Sequence, residues 1–265
     1  MKYCVCSFIF NDYEVVREPL ELSENCDYFL FTDNPNLTAQ RWNVIYLDEY
    51  NTDEYIGIQK TLKFKYTFYK YIPNFEQYDY FVQLDGSLQV IKSLDNIIKY
   101  MQKFKYDMML APHPERDNFV DEYNAWIKGR NEDKKYLDIF LNSVGDYDLK
   151  TKGLIETTIK IYRNCKEILN FIDDVNMILE TTCESCDKND QCYFTYILSK
   201  HLDKLRIDYT DTPTYSNSNF YIARFIHGRY EYWDNGPRKE SGKFMDFLGK
   251  KVKITPVTDY EKFTK

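Results

Sequence analysis

The stretch QYDYFVQLDGSLQV, residues 77–90, decides how the chain is read. Tyr78, Tyr80, Val82 and Leu84 fall on one face of an extended run, and Asp79, Phe81, Gln83 and Asp85 on the other, which is the period of a strand. The run stops at Asp85-Gly86-Ser87. In open α/β sheets, ligands bind outside the carboxyl ends of strands, near the point where strand order reverses, so an acid ending a strand stands where a ligand group belongs. Gly86 permits close backbone approach, and Ser87 adds a hydroxyl oxygen. Oxygen donors suit Mn²⁺ or Mg²⁺, ions that bridge diphosphate oxygens. The same residues also spell an Asp-Gly hairpin turn. Taken alone, the stretch leaves both readings open.

Its surroundings alternate between strand and helix. Residues 2–10 (KYCVCSFIF), 27–33 (DYFLFTD) and 44–47 (VIYL) read as three strands. Residues 56–72, which end before Pro73, read as a helix. Ser93 can cap a helix whose Leu94, Ile97, Ile98, Met101 and Phe104 follow helical spacing. DMMLAP at 107–112 is another short strand, 113–150 is helix and loop, and KGLIETTIKIYRN is a strand with its approach. KEILNFIDDVNMILE reads as a helix, Asp190–Leu198 begins a further one, and NSNFYIARFIHG closes the folded core. Alternation in the first half and a mixed second half predict a single α/β domain over 1–237. Within it, a nucleotide-binding half spans about 1–110 and an acceptor half 111–237, followed by a Lys-rich, partly mobile tail at 238–265.

Composition narrows the function classes. A chain of 265 residues can bury roughly 70–75% of its unfolded surface. With 35 basic against 42 acidic residues, net charge −7, it is not built to bind nucleic acid. No run of about 18 apolar residues predicts a transmembrane segment, and MKYCVCSFIFNDYE reads as a first strand rather than a signal peptide. Seven cysteines in irregular spacing fit a reduced, cytoplasmic setting. Cys183, Cys186 and Cys192, with His201 nearby, match no common zinc spacing well, and incidental thiols are the simpler reading. The 25 Tyr and 18 Phe supply aromatic walls that suit a nucleobase or a sugar face.

An ordered set of short motifs carries a resemblance. SFIFNDYE (7–14), YFLFTDN (28–34), KFKYTFYKYIPNF (63–75), YDYFVQLDGS (78–87), HPERD (113–117), GLIET (153–157), NDQ (189–191) and FIHG (225–228) follow one another over residues 2–230. In that order they resemble GT-A fold glycosyltransferases, in the branch of transferase domains found in capsule loci, plants and large DNA viruses. The resemblance implies a Rossmann-like α/β domain with a central mixed, mostly parallel sheet flanked by helices. It also implies transfer of a sugar from a nucleotide-diphosphate donor, with a UDP-sugar favoured, to a saccharide hydroxyl. Three positions depart from the family pattern. Ser87 stands where a DxD-like motif carries its second acid, Asn189 where a basic residue precedes Asp-Gln, and Tyr69 where the basic helix carries a histidine.

The resemblance also implies roles. Asp85, Ser87 and His227 would hold Mn²⁺ or Mg²⁺, although a buried, satisfied histidine explains His227 equally well. Lys63 and Lys65 would face the diphosphate, whose charge exceeds what one divalent ion neutralises; a solvated helix face is the plain alternative. Phe8, Phe10, Asn11 and Asp33 end the first two strands, where base and ribose are received, while Asp33-Asn34-Pro35 also fits a turn. Gly86 would lie under the donor. His113, fixed between two prolines, would shape a sugar pocket, and Gln191 would hold sugar hydroxyls. Asp190, or failing it Glu156, would take the acceptor's proton, although Asp190 can simply cap its helix. A hydrolase using Asp85, or a non-catalytic carbohydrate-binding domain with a decayed motif, are the alternatives.

Overall fold

The computed structural model describes residues 1–52, 57–130, 135–182, 190–210, 221–224 and 243–262. Three short strands come first: β1 (Tyr3–Ile9), β2 (Cys26–Thr32) and β3 (Asn43–Tyr46). Helix α1 (Gly57–Lys65) and a 3-10 turn at Phe68–Tyr71 then lead into β4 (Tyr80–Asp85). β1 pairs in parallel with β2 on one side and β4 on the other, and β2 pairs in parallel with β3. Side chains along β1 split cleanly. Cys4, Cys6 and Phe8 join Phe29, Phe31 and Phe81 in one apolar layer, while Tyr3, Val5 and Ile9 join Leu30, Val82 and Leu84 in the other. Strands buried on both faces are the mark of a sheet covered by helices on both sides.

Seven further strands follow among the described residues. They are β5 (Leu88–Val90), β6 (Met108–Pro112), β7 (Ile155–Arg163), β8 (Ile207–Thr210), β9 (Ile222–Arg224), β10 (Phe244–Phe247) and β11 (Lys250–Thr255). The order is β10-β11-β8-β6-β7-β4-β1-β2-β3, with β5 and β9 forming a separate antiparallel ribbon. β7 runs antiparallel between β4 and β6, and β10 runs antiparallel to β11, in an otherwise parallel sheet. The molecule is thus α/β, with a large mixed, mostly parallel sheet between helices.

Helix α2 (Asp95–Phe104) covers the Val5 layer through Ile97, Ile98 and Met101. Helices α3 (Phe119–Arg130) and α4 (Lys135–Val144) fill the long connection between β6 and β7. Helices α5 (Lys166–Thr182) and α6 (Asp190–His201) cover the Phe8 layer through Phe171, Ile172, Tyr193 and Phe194. Each such apolar side chain contributes about 1.5–3 kcal/mol on full burial.

Several expectations need correction. Tyr78 lies before β4 and packs with the Phe81 layer, its hydroxyl donating to Asp27 Oδ2 at 2.7 Å. Phe104 is 41% exposed, and Leu94 rather than Ser93 occupies the N-cap position of α2, without a side-chain cap bond. The Ser93 hydroxyl sits one step earlier and accepts from the Asp95 amide. The helix expected over 56–72 stops at Lys65. Gln83 Nε2 donates to the Lys65 carbonyl at 2.5 Å, and the Thr67 hydroxyl turns back onto the carbonyl of Lys63. A side chain that bonds its own helix competes with the next turn.

The largest correction is at the C-terminus. Residues 243–262 fold onto the sheet instead of trailing from it. β11 pairs with β8. After β11 comes the short helix α7 (Val257–Glu261), whose fully buried Tyr260 donates to Asp208 Oδ2 at 2.6 Å. Lysines alternate with Val252 and Ile254 along β11, which lies between β10 and β8. Leu248 and Gly249, both at positive φ, form the two-residue hairpin turn.

Candidate functional site

Strand order reverses between β1 and β4, and the register sets Phe8 beside Asp85 at their carboxyl ends. This is the crevice position at which open α/β sheets take ligands. Because β7 runs the other way, its first residues reach the same edge, as does the start of α6. Asp85, Thr157 and Asp190 therefore meet, although they lie far apart in sequence.

Lys65 joins them. Its Nζ stands 3.1 Å from Asp85 Oδ1, 3.1 Å from Asp190 Oδ2 and 3.4 Å from the Thr157 hydroxyl. The Tyr66 hydroxyl donates to Asp190 Oδ2 at 2.6 Å, and the Thr157 hydroxyl to Oδ1 at 2.8 Å. Thr157 lies where the register between β6 and β7 slips, past the Leu110/Ala111 bulge. Bulges commonly re-aim a side chain in this way. Lys160 Nζ donates to the Thr157 carbonyl at 2.7 Å and sits over the Tyr66 ring.

The charges follow from burial and partners. Burial alone would lower the Lys65 ammonium, but Asp190 and Asp85 outweigh it and hold it above the usual lysine range. Burial would raise the Asp190 carboxyl, but the lysines, Tyr66 and Thr157 outweigh it and hold it low. Lys160 differs. Burial and the adjacent Lys65 push its ammonium well down, so Lys65 is the cation that matches Asp190. Side-chain exposure is 4% for Lys65 and 8% for Asp190 but 21% for Asp85, so Asp85 is the open side of the cluster.

The Asp85 turn is tightly seated. A Cβ on Gly86 would stand 2.7 Å from the Phe8 carbonyl oxygen, which excludes any larger residue without a backbone shift. Arg17, buried, donates from Nη1 to the Gly86 carbonyl at 2.8 Å and to Glu14 Oε2 at 3.1 Å. Ser87 is buried, and its hydroxyl has no hydrogen-bond partner among the described residues. Buried polar atoms normally find one, so this atom marks a place for a water or a ligand.

A second buried ion pair holds the neighbouring loops. Asp33 Oδ2 meets Lys60 Nζ at 2.7 Å, and Oδ1 accepts from the Asn11 amide at 2.9 Å. Asn34 Nδ2 donates to Asp12 Oδ1, and Asn11 and Asp12 both have positive φ. The Asp33 carboxylate, expected to meet a ribose, thus clamps the loops after β1 and β2. Phe8 and Phe10, expected to receive a base, are buried against Phe64. Lys63 is exposed, and Lys60 and Lys65 are the buried cations of α1.

His113 shapes its own loop. Its Nδ1 accepts from the amides of Glu115 and Arg116, and Arg116 ion-pairs with Glu122. Glu156 is buried on β7 opposite Ala111; its neighbour Thr157, not Glu156, touches Asp190. Gln191 follows Asp190 and is half-buried. His227, Asn189, Cys183 and Cys186 lie outside the described residues. Cys192 is buried and outside any disulfide, and His201 Nε2 lies 2.8 Å from Asp174 Oδ2.

Asp85 and Ser87 are the expected metal donors within the described residues, and of the two Asp85 meets the Lys65 ammonium. Mg²⁺ takes one or two carboxylates plus substrate phosphates. Here Lys65 Nζ lies within 3.5 Å of both Asp85 oxygens, Ser87 adds a neutral oxygen, and Asp190 is already committed to Lys65, Tyr66 and Thr157. No family model matches the chain, and a search among curated proteins returns no match.

Proposed function

We propose that the chain is a glycosyltransferase of GT-A type, moving a sugar from a nucleotide-diphosphate donor, a UDP-sugar in the first instance, to a saccharide hydroxyl. The observation that carries this reading is the Asp85–Lys65–Asp190 cluster at the carboxyl ends of the strands where their order reverses. A diphosphate leaving group needs cationic charge fixed in place before the bond breaks, and a buried, hydrogen-bonded ammonium supplies such pre-organised charge.

In this reading the donor's diphosphate approaches from Asp85, the most exposed member of the cluster. Lys65 faces the phosphate oxygens, and Asp85 orients the donor. Asp190 acts differently from the first expectation. Both of its oxygens already accept hydrogen bonds, and its low proton affinity makes it a poor acceptor for a hydroxyl proton. Glu156, buried beside Thr157 at the start of β7, is then the acid left to take that proton.

Thermal unfolding with UDP, GDP and free sugars tests the reading. A ligand at 100 times its Kd stabilises by about 2.7 kcal/mol, which for a chain near this size is a rise of several degrees in Tm. UDP should raise Tm and simple sugars alone should not. A rise with sugars but none with nucleotides would replace the transferase by a carbohydrate-binding domain.

A further inference from the structure

We infer that Lys65 takes the place of the divalent ion, so that nucleotide-diphosphate binding and transfer at this site proceed without metal. The inference rests on the donor class proposed above and concerns how its charge is met.

The position of the ammonium is the first argument. Lys65 Nζ lies against both oxygens of Asp85, the acid from which a divalent ion would be hung. An ion bonded there would have to displace the ammonium or share one carboxylate with it. Anchoring is the second. Asp190 fixes Nζ from behind, and Asp190 is fixed by hydroxyls from Tyr66 on one side and Thr157 on the other. Gln83 holds the Lys65 backbone through its carbonyl. The ammonium is thus tied at both ends of its side chain, and of its two carboxylate partners Asp85 is the more exposed. The donor set is the third. Ser87, where a second acid would strengthen a metal site, brings no charge.

The chemistry balances without a metal. The bond between the anomeric carbon and the β-phosphate oxygen breaks, and its electron pair passes to that oxygen. The acceptor oxygen forms the new bond to carbon and releases its proton to the base. Lys65 keeps its proton throughout and pairs with the charge that develops on the diphosphate, exchanging Asp85 for a phosphate oxygen while Asp190 retains it.

Calorimetric titration of the intact chain with UDP decides the matter. One set of runs is made in excess EDTA, and the other with Mn²⁺ and then Mg²⁺. The expected result is a Kd in EDTA within about threefold of that with either ion, a difference near the 0.6 kcal/mol scale of thermal energy. Tenfold or greater weakening in EDTA, restored by metal, overturns the inference while leaving the donor class standing. No binding under any condition overturns the donor class itself, and this inference with it. A paired variant, Lys65→Met with Asp190→Asn, removes the ammonium together with one counter-charge. Local net charge is therefore unchanged, and a far-UV melt checks the fold. Its UDP affinity in EDTA should fall at least 30-fold; an unchanged affinity also overturns the inference.

Discussion

Replacing Asp190 with alanine is expected to lower the unfolding free energy by about 3–5 kcal/mol, the usual cost of removing one member of a buried ion pair. Whole domains are stable by only about 5–15 kcal/mol, so the loss is large. Three groups lose a partner at once: the Lys65 ammonium, left with Asp85 alone as counter-charge, and the hydroxyls of Tyr66 and Thr157. The effect has a pH window. Asp190 is depressed in the fold, so its contribution is full above its unfolded value of about 3.9 and fades as pH falls through the folded value. Lys65 is raised, so its share is full below about 10.4 and is lost only as pH climbs through its higher folded value. Urea unfolding at pH 7 should show the full difference from wild type, and at pH 3 a smaller one. An alanine variant as stable as wild type at pH 7, but unable to turn over substrate, would restore Asp190 to the role of base.

Asp33→Ala should cost a similar amount, about 3–5 kcal/mol, for the same reason. It strands Lys60, which is almost wholly buried, and the Asn11 amide, whose acceptor it removes. The loop it releases carries two consecutive residues in the left-handed region, Asn11 and Asp12. Such conformations persist only where their surroundings hold them. Hydrogen exchange at the Asn11 amide should therefore speed up beyond what global destabilisation explains. If Asp33 served chiefly to hold a ribose, the variant would keep its stability and lose only nucleotide affinity.

Much of the architecture could be read along the chain, because apolar side chains announce their own burial. The runs in β1 and β2, the alternation of β4 from Tyr80 to Asp85, and Ile97, Ile98 and Met101 of α2 all fell where local pattern put them. Asp85 was also legible, since an acid ending an apolar strand is conspicuous. Its partners were not. Asp190 meets Tyr66 across 124 positions and Thr157 across 33, and no local pattern reports such pairings. A carboxylate that looked like a free base was therefore committed already. Lys60 was missed because lysines on a helix resemble a wet surface. Its spacing of four from the buried Phe64 was the available clue, since it put the lysine on the core side of α1. β11 was hidden likewise, its Val252 and Ile254 masked by the lysines between them.

The closing hairpin has a practical bearing on how the protein is handled. A version trimmed ahead of residue 243 would bare β8 as an unprotected sheet margin. It would also strip Asp208 of the two hydroxyls, from Thr255 and Tyr260, that satisfy its carboxylate. The lysine-rich end is a seam of the molecule, and shortening it to improve crystals would invite precipitation instead.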